Sequence, residues 1–307
     1  MARLSRQTRE IIKTVAVVVI IALLLFFYTI YPLNRVKAMW GRTGIDSFKV
    51  DLKSLPANDP GAFVAAGLMA DSFRVESDGA TSLAGLFLHT DKASPPRGTI
   101  VLIHAERSDR TALVGLAGQL LDSGFNVVVY DQRASGLSTA KYHGDGQVEA
   151  GDLEAVIGHL GVHQQLDPPV VAVGWKLGAD AALAAAQDEK RINGVVAIEP
   201  YLTSHRMVDA LKEQYHAYWF PLYRSTIWFW FNIRSGYGAP YRDLKDIQPT
   251  ACRTLLMVAE ADRAPLEVQK IEGLSGSGVT TALLPPTENK LAAEIVTFTE
   301  EISIVNK

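Results

Sequence analysis

The chain has 307 residues, a formal net charge of -3 and 48% hydrophobic residues, which fits one large folded domain with an appendage and excludes a disordered chain. The small net charge and the lack of a basic stripe exclude nucleic acid as a partner. The single cysteine, Cys252, excludes an internal disulfide and a cysteine-rich metal site.

An uncharged run from Thr14 to Tyr31 is long enough to cross a bilayer as a helix. We predict a single-pass anchor at residues 14–31, preceded by a basic segment at residues 1–13, and therefore expect the lipid bilayer as a partner. The alternative is a cleaved signal peptide, because residues 36–38 loosely resemble a cleavage site. The distribution of basic residues favours a cytoplasmic N-terminus, with the folded domain on the opposite side of the membrane.

The rest of the chain divides into a connecting segment and a domain. Residues 32–70 contain Pro32, Pro56 and Pro60 without a periodic pattern, which predicts a linker leading into the domain. From residue 71 to residue 307, apolar runs alternate with helical patterns, which predicts an α/β domain with a mostly parallel central sheet. Runs such as "IVLI" and "VVAV" are continuously apolar, so we expect helices on both faces of that sheet.

An aromatic-rich segment interrupts this alternation at residues 201–246. We interpret it as a helical cap inserted into the domain, with aromatic side chains that pack on the sheet. The alternative is an exposed surface that contacts a membrane or a partner protein. The candidate residues for that surface are Trp219, Phe220, Trp228, Phe229, Trp230 and Phe231.

The order of elements and four motifs resemble the α/β-hydrolase family over residues 72–303. The motif "HAERSDR" is similar to the loop that forms part of the oxyanion hole, and "YDQRASGLS" is similar to the family's Asp-x-Arg-Gly-x-Gly-x-Ser segment. "GWKLGA" stands where the family has its nucleophile elbow, and "VAEADRAP" is similar to the strand end that carries the acid of the triad. The resemblance implies that His104, Ala105 and Leu177 occupy oxyanion-loop positions.

The triad positions implied by this resemblance depart from the family pattern. Gly174 and Gly178 can form the elbow, but its central residue is Lys176, which has no hydroxyl to form an acyl-enzyme ester. Asp262 matches the acid. Asn289 or Glu288 falls near the position of the histidine base, and no histidine follows residue 268. Neither side chain can relay a proton from a hydroxyl to a leaving group as imidazole does.

Because the nucleophile and the base are both missing, the sequence predicts no catalytic residues. Glu106 beside the oxyanion loop would oppose the stabilisation of negative charge, and an ion pair of Lys176 with Asp262 or Glu106 would leave the site inert. We therefore predict a non-catalytic accessory or scaffolding subunit that contacts another membrane protein.

Two alternatives belong to other functional classes. The first is an active hydrolase, or a lysine-dependent enzyme, that acts on a lipid or acyl substrate. The second is a sensor that binds a lipid or small molecule in the pocket between cap and sheet.

Two histidines and two serines are further candidates, as metal ligands and as nucleophiles, and neither role is expected. His159 and His163 are one helical turn apart and could share a metal ion, but no acidic or cysteine partner has a suitable spacing. We expect neither a metal nor a cofactor. Ser135 and Ser138 lie away from the elbow and are not expected to act as nucleophiles.

Overall fold

The computed structural model describes residues 5–42, 60–79, 81–163, 165–203, 206–210, 223–236, 252–259 and 278–305. Its first helical stretch comprises α1 (Arg6–Leu25), a π-helical turn (Phe26–Ile30) and α2 (Tyr31–Trp40). The sequence predicted a linker from residue 32, but the helix continues to Trp40. Pro32 stands in the first turn of α2, where a residue without an N–H is tolerated.

This stretch, Arg6–Trp40, is the helix among the described residues that is long and apolar enough to cross a membrane. Its most apolar window has a mean hydropathy of 2.8, and none of that window is buried in the protein. A helix of this length and composition near an N-terminus is found both in membrane anchors and in signal sequences.

The domain is built on an eight-stranded sheet. The strands are β1 (Ala70–Ser77), β2 (Thr81–Leu88), β3 (Thr99–Ile103), β4 (Asn126–Tyr130), β5 (Val170–Trp175), β6 (Ile192–Ile198), β7 (Arg253–Val258) and β8 (Val279–Leu283). Their order is β1-β2-β4-β3-β5-β6-β7-β8. β2 is antiparallel to both of its neighbours, and the strands from β4 to β8 are mutually parallel. The predicted mostly parallel sheet is confirmed.

Helices cover both faces of the sheet. The described helices of the domain are α3 (Gly61–Ala65), α4 (Val114–Asp122), α5 (Gln147–Val162), α6 (Leu177–Asp188), α7 (Tyr223–Ser235) and α8 (Glu288–Val305). One apolar core lies between the sheet and α5 and α6, and a second lies between the sheet and α4 and α8. The strands β3 and β4 are buried along their whole length, as their continuous apolar runs predicted.

The parallel strands bring several loops to one edge of the sheet. The segments that follow β3, β5, β6 and β7 begin at residues 104, 176, 199 and 259, and each leaves the carboxyl end of its strand. Ligands of open α/β sheets bind at this edge, so the candidate site is expected there.

Candidate functional site

Lys176 stands at the tip of a sharp turn between β5 and α6. Its backbone angles, φ 49° and ψ -113°, are those of a strained residue rather than of either neighbouring element. The glycines on each side permit this geometry. A Cβ on Gly174 would lie 2.2 Å from the carbonyl oxygen of Gly178, and one on Gly178 would lie 2.6 Å from the carbonyl oxygen of His104. The sequence therefore builds the elbow with a lysine at its tip.

The first amide of α6 points toward a carboxylate. The Leu177 N–H donates a long hydrogen bond of 3.4 Å to Oε2 of Glu106. In an acyl-transfer site built on such an elbow, the N–H of the residue after the tip stabilises the oxyanion. The Glu106 carboxylate therefore occupies the place that a substrate or product oxygen would take at this donor.

Tyr201 forms a hydrogen bond with the other carboxylate oxygen of Glu106. Its hydroxyl donates to Oε1 of Glu106. Burial, and then the negative charge of Glu106, raise the pKa of Tyr201 well above its usual value. The phenol is therefore a permanent hydrogen-bond donor at neutral pH and fixes the orientation of Glu106.

A cavity of about 680 Å³ opens at this point, and its walls carry both signs of charge. The residues lining it include the cations Arg107, Lys176 and Arg206, the carboxylates Glu106, Glu199 and Asp209, and the apolar side chains of Leu202 and Val258. The volume is that of a small-molecule site. Sequence analysis did not single out Tyr201, Arg206 or Asp209, because no motif marks them.

The strained backbone of the described residues is concentrated around this cavity. Among the described residues, seven that are not glycine have a positive φ. Four of these seven line the cavity: Arg107, Lys176, Glu199 and Leu202. Such strain persists only where the surrounding structure enforces it, and it is commonest at functional sites.

The predicted ion pair of Lys176 is not formed with Glu106. Within the part of the chain that the structure describes, no carboxylate lies within ion-pair distance of the Lys176 ammonium, and Glu106 bonds to Leu177 and Tyr201 instead. Asp262, the other predicted partner, lies outside the described residues. Asn289 is in the first turn of α8, next to Glu288, which accepts a hydrogen bond of 3.0 Å from Gln119.

His104 supports the loop that carries Ala105 and Glu106. Its Nδ1 is 2.7 Å from the carbonyl oxygen of Ala105, and its Nε2 is 3.0 Å from the backbone N of Gln132. An N–H donor at Gln132 requires Nε2 to accept, which assigns the proton to Nδ1. Burial lowers the pKa of His104. Both nitrogens of the neutral ring are thus engaged in the scaffold.

The segment after β4 is held by buried charge. Arg133 and Asp152, exposed by 1% and 0%, form a two-bond ion pair with N–O distances of 2.7 and 2.5 Å. Asp131 accepts the N–H groups of Arg110 and Leu137. These groups fix the loop rather than react.

Ser135 and Ser138 are fully buried, so neither hydroxyl can meet a substrate.

The two candidate metal ligands lie on the surface. The rings of His159 and His163 are 4.6 Å apart, beside Phe73. Among the described residues, no group of three or more histidine, cysteine or acidic side chains has the arrangement of a metal site.

The aromatic segment has two different sides. Trp219 and Phe220 lie outside the described residues. On α7, Trp228 and Phe231 are buried, Trp230 is half-buried and Phe229 is exposed. Their buried neighbours include Trp40 of α2, so this part of the segment packs on the N-terminal helix.

The sheet order and the elbow define an α/β-hydrolase fold, and comparisons with known proteins agree with it. The family model described as serine aminopeptidase, S33, matches residues 94–237. No curated protein matches the sequence significantly. The predicted fold class is confirmed.

Solved structures of hydrolases resemble the chain at low identity. An esterase from Pyrococcus furiosus is 17% identical, with 79% of this chain and 94% of that chain covered and a TM-score of 0.61. A proline iminopeptidase from Mycobacterium smegmatis is 14% identical, with 77% of this chain and 100% of that chain covered and a TM-score of 0.55. An α/β serine hydrolase without a lid from Xanthomonas campestris is 18% identical, with 76% of this chain and 93% of that chain covered and a TM-score of 0.51.

These comparisons contradict the prediction of a non-catalytic accessory or scaffolding subunit. The matching family model describes an enzyme, and the similar structures are those of esterases and a peptidase. The prediction was wrong because it treated the loss of one mechanism as the loss of all chemistry. A lysine at the elbow removes the acyl-serine route, but the oxyanion donor and the cavity do not depend on the serine hydroxyl. The expected partner protein stays a prediction.

Proposed function

We propose that this chain is a membrane-anchored hydrolase that cleaves carboxylic esters with water activated by Glu106, instead of through an acyl-serine. One observation carries the proposal: the elbow amide of Leu177 is directed at a carboxylate oxygen, inside a cavity large enough for a substrate. The site thus pairs an oxyanion donor with a potential base at the same point. The matching family of hydrolases supports the same reaction class.

The reaction balances with the residues in this cavity. Substrate binding displaces the Glu106 oxygen from the Leu177 N–H, and the freed carboxylate accepts a proton from water as the water oxygen attacks the acyl carbon. The carbonyl oxygen becomes an oxyanion and accepts from Leu177. The bond to the leaving oxygen then breaks, and Glu106 returns the proton to the alcohol. A carboxylic acid and an alcohol leave the site, and no cofactor is consumed.

Lys176 has an electrostatic part in this scheme. If its amine attacked an ester, the product would be an amide at the elbow, which is a more stable acyl derivative than the ester and would stop turnover. As an ammonium group on the cavity wall, the same side chain attracts the developing oxyanion without forming a bond to the substrate. Lysine is therefore compatible with hydrolysis at a position where it cannot serve as the usual nucleophile.

The N-terminal helix supports the membrane part of the proposal. Its most apolar window has a mean hydropathy of 2.8, and none of that window is buried against the described residues. A single-pass anchor with a cytoplasmic N-terminus would put the cavity on the opposite side of the membrane.

The test is hydrolysis by the full-length chain in lipid nanodiscs, with p-nitrophenyl esters of increasing acyl length. Glu106→Gln should lower kcat by about 100-fold or more, because the amide cannot accept the proton. Glu294→Gln is the matched control, since this carboxylate is exposed on α8. If the Glu106 variant turns over as fast as the Glu294 variant, the proposed base is wrong.

A further inference from the structure

The end of the N-terminal helix is attached to the loops of the candidate site. The Trp40 carbonyl accepts the backbone N–H of His143 at 2.8 Å, and the Arg42 N–H donates to the carbonyl of Lys141 at 3.0 Å. The guanidinium of Arg107, a cavity residue, donates to the carbonyl of Ala38. Backbone contacts of this kind leave little freedom between the helix and the domain, so the membrane helix sets the position of the cavity.

The helix α7 crosses the same N-terminal helix. The Phe231 ring packs against Trp40 with the ring centroids 4.7 Å apart, and against Trp228 at 5.1 Å. The apolar cluster they belong to also contains Leu177 of the elbow and Tyr201 of the cavity wall. The inner side of α7 therefore shares one apolar cluster with the N-terminal helix and with two residues of the candidate site.

A single hydrogen bond fixes the level of α7 along the N-terminal helix. The indole Nε1 of Trp230 donates to the carbonyl oxygen of Tyr28 at 2.7 Å. This bond joins α7 to the N-terminal helix at Tyr28.

This level coincides with the end of the uncharged run. From Thr14 to Tyr31 the helix rises about 27 Å, close to the hydrocarbon thickness of a bilayer. Tyr28 thus lies near one boundary of the hydrocarbon, in the zone where tryptophan and tyrosine are enriched. Trp230 is held at the same depth.

The outer side of α7 is apolar and unburied. Phe229 is 57% exposed, and Ile233, one turn further along, is 56% exposed. On the N-terminal helix, around the Tyr28 carbonyl that Trp230 contacts, Phe26, Tyr28 and Ile30 are 44%, 44% and 51% exposed. An exposed apolar surface on a helix that is bonded to the end of a proposed membrane anchor fits lipid.

We propose that the face of α7 formed by Phe229, Trp230 and Ile233 lies in the boundary between headgroups and acyl chains, and that it holds the cavity at this boundary so that the enzyme takes its ester from the membrane. The substrate class is accordingly an ester of a membrane-resident amphiphile. This inference rests on the proposed anchor and the proposed hydrolase activity.

Depth-dependent quenching in nanodiscs tests the surface without relying on activity. With Cys252 replaced by alanine, one new cysteine at position 229 or 233 carries an NBD fluorophore, and lipids with a doxyl group near the headgroup act as quenchers. The control is position 162. Val162 is 79% exposed at the end of α5, which is the sheet edge away from the cavity.

We expect labels at 229 and 233 to lose most of their fluorescence and the label at 162 to lose none. Labels at 229 and 233 that are quenched no more than the label at 162 would overturn the inference. A blue-shifted but unquenched label would overturn it in favour of a protein partner. A label at Val19, quenched by doxyl groups deeper in the acyl chains, tests the anchor separately.

The substrate class has its own measurement. The double variant Phe229→Ser, Ile233→Ser should hydrolyse an ester embedded in vesicles several-fold more slowly than the parent, and a water-soluble short-chain ester at the same rate. Equal loss on both esters would contradict membrane delivery. Activity on neither ester in the parent protein would instead reject the proposed hydrolase, whatever the quenching result.

Discussion

His143 gives the folded protein a pH dependence that can be calculated. Its side chain is fully buried, and neither ring nitrogen has a hydrogen-bond partner among the described residues. Burial, followed by the positive charges of neighbouring groups such as Arg133 and Arg107, lowers the pKa of His143 to about 3. The imidazole therefore stays neutral in the folded state at pH values where an unfolded chain protonates it.

The size of the effect follows from the two pKa values. An unfolded histidine titrates near pH 6.5 and the folded His143 near 3, so the unfolded state binds the additional proton between these values. Stability from this residue is complete above about pH 6.5 and is lost as the pH falls toward 3. Between pH 7 and pH 5, the loss amounts to about 2 kcal/mol in the free energy of unfolding.

The variant His143→Leu removes the titrating group and keeps an apolar side chain of similar volume. Urea unfolding of the full-length chain in detergent, followed by tryptophan fluorescence at pH 7 and pH 5, measures the change. We expect the variant to lose about 2 kcal/mol less than the parent between the two pH values. If both proteins lose the same free energy, His143 is protonated in the folded state and the reasoning from its burial is refuted.

Further predictions concern the elbow and the buried ion pair, all measured by urea unfolding. Gly178→Ala should destabilise the folded protein by about 1–3 kcal/mol, because the added Cβ would lie 2.6 Å from the His104 carbonyl oxygen. Gly151→Ala should stabilise it by up to about 1 kcal/mol, because nothing lies within 4 Å of the Cβ added there. Equal effects of the two substitutions would reject a close-packed elbow. Asp152→Asn should cost about 3 kcal/mol because it leaves the Arg133 charge, 1% exposed, without its main partner. A loss below about 1 kcal/mol would show that Asp78 compensates, since its Oδ2 lies 3.1 Å from the Arg133 guanidinium.

The sheet could be predicted from the sequence because each strand has its own local signal. Runs such as residues 100–103 and 170–173 are apolar at every position, and the structure buries them between two helical layers. The elbow was also visible, since Gly174 and Gly178 flank a single residue after an apolar run. These features depend on neighbours in sequence, which is where pattern and structure agree most closely.

The site could be predicted only in part, because its remaining residues come together through the fold. Glu106 was noticed as an unfavourable charge beside the oxyanion loop. That its oxygens bond to Leu177 and Tyr201, which lie 71 and 95 residues away, has no local signature. The positive φ of Glu199 is equally invisible, since residues other than glycine carry no sequence mark for that conformation.

The sequence also did not predict which aromatic residues of α7 are buried and which are exposed. The alternative of an exposed aromatic surface placed the consecutive aromatic residues of α7 on one side, yet a helix turns about 100° per residue and separates them. Phe231 is fully buried, while Phe229 is 57% exposed. The N-terminal helix continues past Pro32 to Trp40 and supplies the surface on which the inner side of α7 packs.

Turnover in the presence of a fluorophosphonate tests the central claim most directly, because this reagent inactivates enzymes that use an activated serine. The full-length chain in nanodiscs, with an ester in excess, should release many molecules of acid per chain, keep its rate after fluorophosphonate treatment, and lose activity in Glu106→Gln. Inactivation with one adduct on a serine would contradict the account, since the hydrolysis would then proceed through a nucleophile that the elbow does not hold.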